Sequence, residues 1–294
     1  VTEGVPALRA ERIAVARGDE IVLRGVGLDL VLGRTTVVMG ASGAGKTSLV
    51  RALAGLDEPV EGRVEEWACG RYRPVRVGEV EGLGVLLGGT TSFSAWTHAS
   101  LTVRQQLDQA LEPQMLTSAE RLARVTAIAD DLGLTRWLDA PTPSLAAHHR
   151  RRAALATALV GRPRIILLDE IETALDSTSV EQVLSAVRGA RSRTGAAVLV
   201  TTHDLRIARA LGDELLVLGG GRVVVRGPVD DLLAGVTDGE SFLEGHLRAA
   251  AELTRPDPPK PRQWTLRFDP FVLACFVVAA AVILLVALAA RQGF

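Results

Sequence analysis

Between the apolar run TTVVM (35–39) and the helical pattern SLVRALAGL sits GASGAGKT, Gly40 to Thr47. No other stretch limits the fold as tightly. It matches G-x-x-x-x-G-K-[ST], in the context that motif needs: an apolar strand before it and a helix after it. Gly40, Gly43 and Gly45, with the small residues Ala41, Ser42 and Ala44 between them, let the backbone wrap an anion with its N–H groups pointing inward. The helix opening at Lys46, Thr47 and Ser48 presents its positive end to the same anion. Lys46 is expected to reach the β- and γ-phosphates of a nucleotide, and the Thr47 hydroxyl to ligate Mg²⁺.

The run IILLDE follows about 120 residues later, a spacing read directly from the chain. A buried strand would deliver Asp169 where a carboxylate can hold Mg²⁺ through water. Glu170 would then stand where a general base polarises the attacking water. Read alone, an acidic pair after a strand is a loop start or a helix cap; beside a phosphate loop it reads as catalytic. A third strand-like run, AAVLVTT (196–202), leads to His203, which is positioned to meet a γ-phosphate. A lone histidine there would be structural, so its reading depends on the other motifs.

Short apolar runs alternate with helical patterns through residue 250, which calls for α/β architecture with parallel strands covered on both faces. LLVLGGGRVVVRG (215–227) reads as a hairpin with a glycine turn. LTVRQQLDQAL and SAERLARVTAIADDLGL place a mostly helical pattern over residues 101–160. TRPDPPKPRQ (254–263) lies within a proline-rich linker (251–268). Beyond it, residues 269–294 contain FVLACFVVAAAVILLVALAA (271–290), free of charge and long enough as a helix to span roughly 30 Å of hydrocarbon. Lys260, Arg262 and Arg267 precede that segment and Arg291 follows it, so the larger domain is expected on the cytoplasmic side of a cell membrane. A net charge of −1 gives no argument for a nucleic-acid surface. Cys69 and Cys275 stand far apart and read as free thiols rather than a disulfide or a metal cluster.

The order and spacing of these motifs resemble the ATP-binding subunits of ABC transporters over roughly residues 8–235. The resemblance rests on GASGAGKT, LTVRQQL, RRRAALATALVGRPRIILLDEIETALDSTS, VTTHDL and LLVLGGGRVVVRG. It implies a P-loop NTPase, with a RecA-like core, an antiparallel β subdomain and an inserted helical subdomain near residues 90–160. It implies ATP and Mg²⁺ as cofactors, phosphate binding by Gly40–Thr47, metal binding by Thr47 and Asp169, and a base role for Glu170. It also puts the family's D-loop at Ala174-Leu175-Asp176 and its switch histidine at His203. Separate transmembrane permease subunits are the implied partners, with a substrate-binding protein if the complex imports.

Three positions depart from the family pattern. The LSGGQ signature, which contacts the γ-phosphate held by the other subunit of a head-to-tail dimer, falls on Leu145-Ala146-Ala147-His148-His149. Ala146 lacks the donor hydroxyl and His148 puts a ring where a glycine belongs; the histidines either decay the site or touch phosphate themselves. The expected glutamine after an apolar strand falls on Gly88 or Gly89, while Gln105 and Gln106 lie too far along. The aromatic residue that stacks on adenine falls on Arg17, whose planar guanidinium can also stack on a base.

The losses sort by site. Lys46, Thr47, Asp169, Glu170 and His203 serve the chain's own nucleotide, and the damaged signature serves a partner's. A heterodimer with a second, intact ABC ATPase reconciles the two. The expectation is therefore an ATPase subunit of a heteromeric ABC transporter, import favoured over export, with residues 271–290 in lipid. A membrane-anchored, nucleotide-gated scaffold with negligible turnover is the competing reading. A P-loop kinase leaves the motifs through His203 unexplained.

Overall fold

A computed structural model describes residues 4–75, 80, 82–88 and 101–253. The chain begins with two long antiparallel strands, β1 (Pro6–Arg17) and β2 (Glu20–Val31). β3 (Thr35–Gly40) leads through the glycine loop into α1 (Lys46–Leu53). Strands β4 (Glu61–Ala68) and β5 (Arg71–Pro74) return to extend the first pair, giving a four-stranded antiparallel sheet of order β2-β1-β4-β5.

The second sheet collects strands from across the chain. After β6 (Leu83–Leu86) come three helices, α2 (Val103–Leu111), α3 (Ser118–Asp131) and α4 (Ala147–Val160). Then follow β7 (Ile165–Leu168), α5 (Ser177–Thr194), β8 (Ala197–Thr201), α6 (Leu205–Leu211), β9 (Glu214–Gly219), β10 (Arg222–Pro228), α7 (Val229–Leu232) and α8 (Gly239–Leu253). The sheet order is β10-β9-β3-β8-β7-β6, parallel throughout except for the β9–β10 hairpin.

Burial on both faces explains the uninterrupted apolar runs. Along β7, Ile165 and Leu167 join the core shared with α1 and the antiparallel sheet, while Ile166 and Leu168 join the core under α2 to α5. β8 divides in the same way, Ala197 and Leu199 to one core, Val198 and Val200 to the other. Helices α2 and α3 each open on a capping box, Thr102 with Gln105 and Thr117 with Glu120, which satisfies orphan N–H groups at their first turns. The expected helical region is present as α2 to α4, and its proposed start at residues 90–100 lies outside the described residues. Among the described residues no helix is long and apolar enough to cross a membrane; the linker after Leu253 and the stretch 271–290 lie outside them.

Candidate functional site

β3 sits in the middle of the parallel sheet, every residue buried, and delivers the glycine loop at that sheet's carboxyl end. Strand order alone makes this the place for a ligand. Gly40 runs against β9 so closely that a Cβ there would lie 2.6 Å from the Leu218 carbonyl oxygen. Gly45 caps α1 at φ 100°, where a Cβ would meet Leu23 at 2.6 Å. The first turn of α1 holds no acidic residue, so the positive end of the helix is uncompensated by its own side chains. Lys46 is buried, and its Nζ donates to the carbonyls of Gly40 (2.8 Å) and Ala41 (3.1 Å). The ammonium is thus held within the loop that an anion would enter.

Asp169 follows β7 and is fully buried. Its Oδ2 accepts from the Thr47 hydroxyl (2.8 Å) and from the Gly88 N–H (3.0 Å), and its Oδ1 accepts from the Thr201 hydroxyl (2.6 Å). One carboxylate therefore ties together the start of α1, the end of β6 and the end of β8. The Thr47 hydroxyl and Asp169 Oδ2 form a pair of hard oxygens at a single point, the donor set that suits Mg²⁺ completed by water and phosphate. Among the described residues no group of three His, Cys, Asp or Glu could form a self-contained metal cage, so this pair fits a metal that arrives with a nucleotide.

Glu170 turns the chain out of the sheet at φ 48°, a left-handed conformation uncommon outside glycine. Its N–H is held by the Thr201 hydroxyl at 2.9 Å. Its side chain lines a cleft of about 310 Å³ together with Arg17, Val22, Gly43, Gly45, Lys46, Thr47 and Ser48. Carboxylate, ammonium and hydroxyl thus face one space. Thr201 escaped sequence reading, because a threonine closing an apolar run looks like the strand's polar end.

Arg17 reaches the cleft but is not loose there. Its Nε donates to the Ser48 hydroxyl (3.2 Å), and its guanidinium lies 3.5 Å from Asp57. Asp57 also takes a two-pronged contact from Arg51, at 2.8 and 2.7 Å. Those hydrogen bonds from Arg51, with the positive charge of Arg51 and Arg17 beside them, hold the Asp57 carboxyl below the ordinary carboxylate range.

The other expected site residues stand apart from the cleft lining. Asp176 caps α5, accepting from the Ser179 N–H at 2.7 Å, and that bond leads the causes that lower its pKa. His203 follows β8 with an exposed ring whose Nδ1 lies 2.9 Å from Glu172. Gln105 completes the α2 capping box and the buried Gln106 bonds Thr142, so neither belongs to the site. Behind Asp169 and Glu170 the partly buried Arg151 donates to the carbonyls of Leu87 (2.7 Å), Asp169 (2.6 Å) and Glu170 (2.7 Å). Desolvation lowers its pKa while Asp169, Glu170 and Glu172 pull the other way. Within a run of three arginines it reads as one of a solvated set, and only the fold shows it turned inward.

Helix α4 opens differently from α2 and α3. Ala146 stands at its N-cap in extended conformation with no side-chain cap bond, and Leu145 before it is buried. His149 packs against Trp137 at 4.7 Å and against His148 at 4.0 Å between ring centroids. Burial, and then the neighbouring His148, hold the His149 pKa below its ordinary value. The first turns carry Arg150 to Arg152 in place of acidic residues, the unfavourable charge for a helix N-terminus.

The sequence model of the ABC transporter family matches residues 23–173. The chain is similar to the zinc import ATP-binding protein ZnuC of Halorhodospira halophila, 33% identical over 222 residues covering 76% of this chain and 77% of that one. It is also 33% identical over 217 residues to the methionine import ATP-binding protein MetN 2 of Burkholderia mallei. That match covers 72% of this chain and 53% of the relative, so the chain spans about half the methionine protein's length. A solved structure described as the ATP-binding subunit of an ABC transporter shares the fold at a TM-score of 0.70 and 20% identity, over 82% of this chain and 99% of that one.

Proposed function

The chain belongs to the ABC transporter family as an ATP-hydrolysing subunit that binds ATP and uses Mg²⁺, and on that premise we propose that it works in a heteromeric importer beside a second, different ABC ATPase. The observation that carries the reading is an asymmetry between two ends of the same molecule. Lys46, Thr47, Asp169 and Glu170 are assembled around one cleft or its floor. The segment that would serve a partner's nucleotide begins at Ala146 with neither a hydroxyl nor a cap.

The roles follow from that geometry. The loop N–H groups of Gly40 to Thr47, with Ser48 and Lys46, hold phosphate, and Thr47 with Asp169 would hold Mg²⁺. The metal, when bound, supplies charge neutralisation for the phosphates. Glu170 orients water and takes its proton, and His203 meets the γ-phosphate. Arg17 would stack on the base, and Asp176 belongs to the interface with the second ATPase. One composite site then joins this chain's loop to an intact signature and turns over. The other joins the partner's loop to Ala146–His149 and is slow, because each missing donor to developing charge costs about a hundredfold or more in rate. Import is favoured by relatives named for zinc and methionine import, and permease subunits and a substrate-binding protein complete the assembly. Helix α8 carries the ATPase domain on to Leu253, past the expected linker start at 251, so residues 1–253 form that domain in the cytoplasm, 254–268 the linker and 271–290 a membrane anchor.

The uncapped start of α4 favours a second reading, a nucleotide-gated scaffold that hydrolyses ATP negligibly. Two measurements decide. Native mass of the complex drawn from its membrane through a tag on this chain is expected to show one copy of it with one copy of another ABC ATPase. Two copies and no second ATPase would refute the asymmetric pair. Glu170→Gln is expected to lower turnover by about a hundredfold or more while ATP binding persists; unchanged cellular function in that variant would favour the scaffold.

A further inference from the structure

β7 and β8 are adjacent parallel strands, so the turns that leave them run side by side. Glu172 lies in the first turn, Thr202 and His203 in the second. A single carboxylate oxygen, Glu172 Oε1, takes three polar contacts from that second turn. Two of these contacts are hydrogen bonds, from the Thr202 hydroxyl (2.8 Å) and the His203 backbone N–H (3.1 Å), and the third is the approach of the His203 ring, whose Nδ1 lies 2.9 Å away. The Thr202 oxygen in turn accepts from the Asp204 N–H at 3.0 Å, so the whole approach to α6 is pinned. Glu172 keeps only 12% of its side chain exposed, whereas the His203 ring is 69% exposed. Its second oxygen, Oε2, is buried with no hydrogen-bond partner among the described residues.

An exposed imidazole would otherwise sample several rotamers. Here both its backbone and its ring are tied to a buried acceptor. An ionised carboxylate can only accept, so the ring edge it attracts is the Nδ1 edge, and the other nitrogen, Nε2, is the one left to face a ligand.

We infer that Glu172 is a positioning residue for His203: it holds the ring by its Nδ1 edge and aims Nε2 at the γ-phosphate. The inference rests on the role given to His203 above. The residue is legible in the sequence only as the fourth position of DEIE, where nothing marks it as different from a helix-capping acid.

The test is a four-member cycle on the tagged complex: wild type, Glu172→Ala, His203→Ala and the double variant, with ATP turnover measured against ATP concentration. Glu172→Ala is expected to lower kcat about tenfold or more with KM within about twofold, and the double variant to be no slower than His203→Ala alone, since partners in one contact are not additive. Glu172→Gln, whose amide oxygen can still accept from Thr202 and His203, is expected to recover part of the loss and guards against a folding defect in the alanine variant. Nitrogen NMR of histidine-labelled protein is expected to show the His203 Nδ1 proton fixed in wild type and exchanging between nitrogens in Glu172→Ala. Multiplying losses, or a Glu172→Ala variant with wild-type kcat beside an impaired His203→Ala, would overturn the inference alone. Wild-type turnover in His203→Ala would refute the histidine's role and this inference together.

Discussion

Replacing Thr201 with valine removes one hydroxyl and keeps the shape of the side chain. That hydroxyl donates to Asp169 Oδ1 at 2.6 Å and accepts from the Glu170 N–H at 2.9 Å, with Thr201 and Asp169 both fully buried. Two groups therefore lose their partner at once. A hydrogen bond to a carboxylate contributes about 1.5–3 kcal/mol, and an N–H left without a partner out of water costs about 1–3 kcal/mol. Together they make the substitution worth about 4 kcal/mol, equivalent to a fall in Tm of about 10 °C for a domain of this size. The assay is urea unfolding of the purified protein, read as a shift in midpoint at constant slope. Thr157→Val is the matched control. Its hydroxyl donates at 3.0 Å to Ala153, four residues back in the same helix, a redundant bond whose loss costs about 0.5 kcal/mol or less. Equal midpoints for the two variants would refute the argument that Thr201 is the joint between Asp169 and Glu170.

Gly40→Ala places a methyl group 2.6 Å from the Leu218 carbonyl and is expected to destabilise the protein by about 1–3 kcal/mol through separation of β3 from β9; thermal unfolding measures it, and an unshifted Tm would show the strands free to part. The depressed Asp57 pKa gives a pH dependence whose sign follows from linkage. Because the folded value lies below the unfolded one, the Arg51–Asp57 contact is fully stabilising above the unfolded pKa, about pH 4, and is lost as pH falls through the folded value. Asp57→Asn is therefore expected to flatten the acid limb of the stability curve below about pH 4 and to lower the plateau above it; parallel curves for the two proteins would assign the acid limb to other carboxylates.

The strands of the parallel sheet were legible because burial on two faces leaves no polar alternation: TTVVM, IILLD and AAVLVTT all lie where their apolarity predicts. The glycine loop was legible for a related reason, since its residues are selected by backbone geometry and neighbouring anion, both local. The joints between elements were not. Thr201 acquires its meaning from Asp169 and Glu170, Glu172 from His203, and Arg151 from three carbonyls just past the ends of β6 and β7, and each pairing exists only once β6, β7 and β8 are side by side. Arg17 shows the same limit from the other direction. Its place at the base-stacking position was expected from the family pattern, but its bonds to Ser48 in the first turn of α1 and to Asp57 beyond the helix depend on where that helix lies. The weak start of α4, by contrast, is a property of adjacent residues, and Ala146 announces it in the sequence.

The place of β3 in the sheet also sets a timetable for biosynthesis. Thr35 pairs with Val198 and Val37 with Leu215, so the central strand gains both neighbours only after β9 has left the ribosome. At about 5–20 residues per second, the apolar run TTVVM waits roughly ten seconds or more without them. The antiparallel strands on either side of it in the chain have all their partners by Pro74 and can pair early. A nascent chain halted between these two points would carry the whole of GASGAGKT yet have no sheet to hold it open, and it would offer chaperones an uncovered strand rather than a binding site.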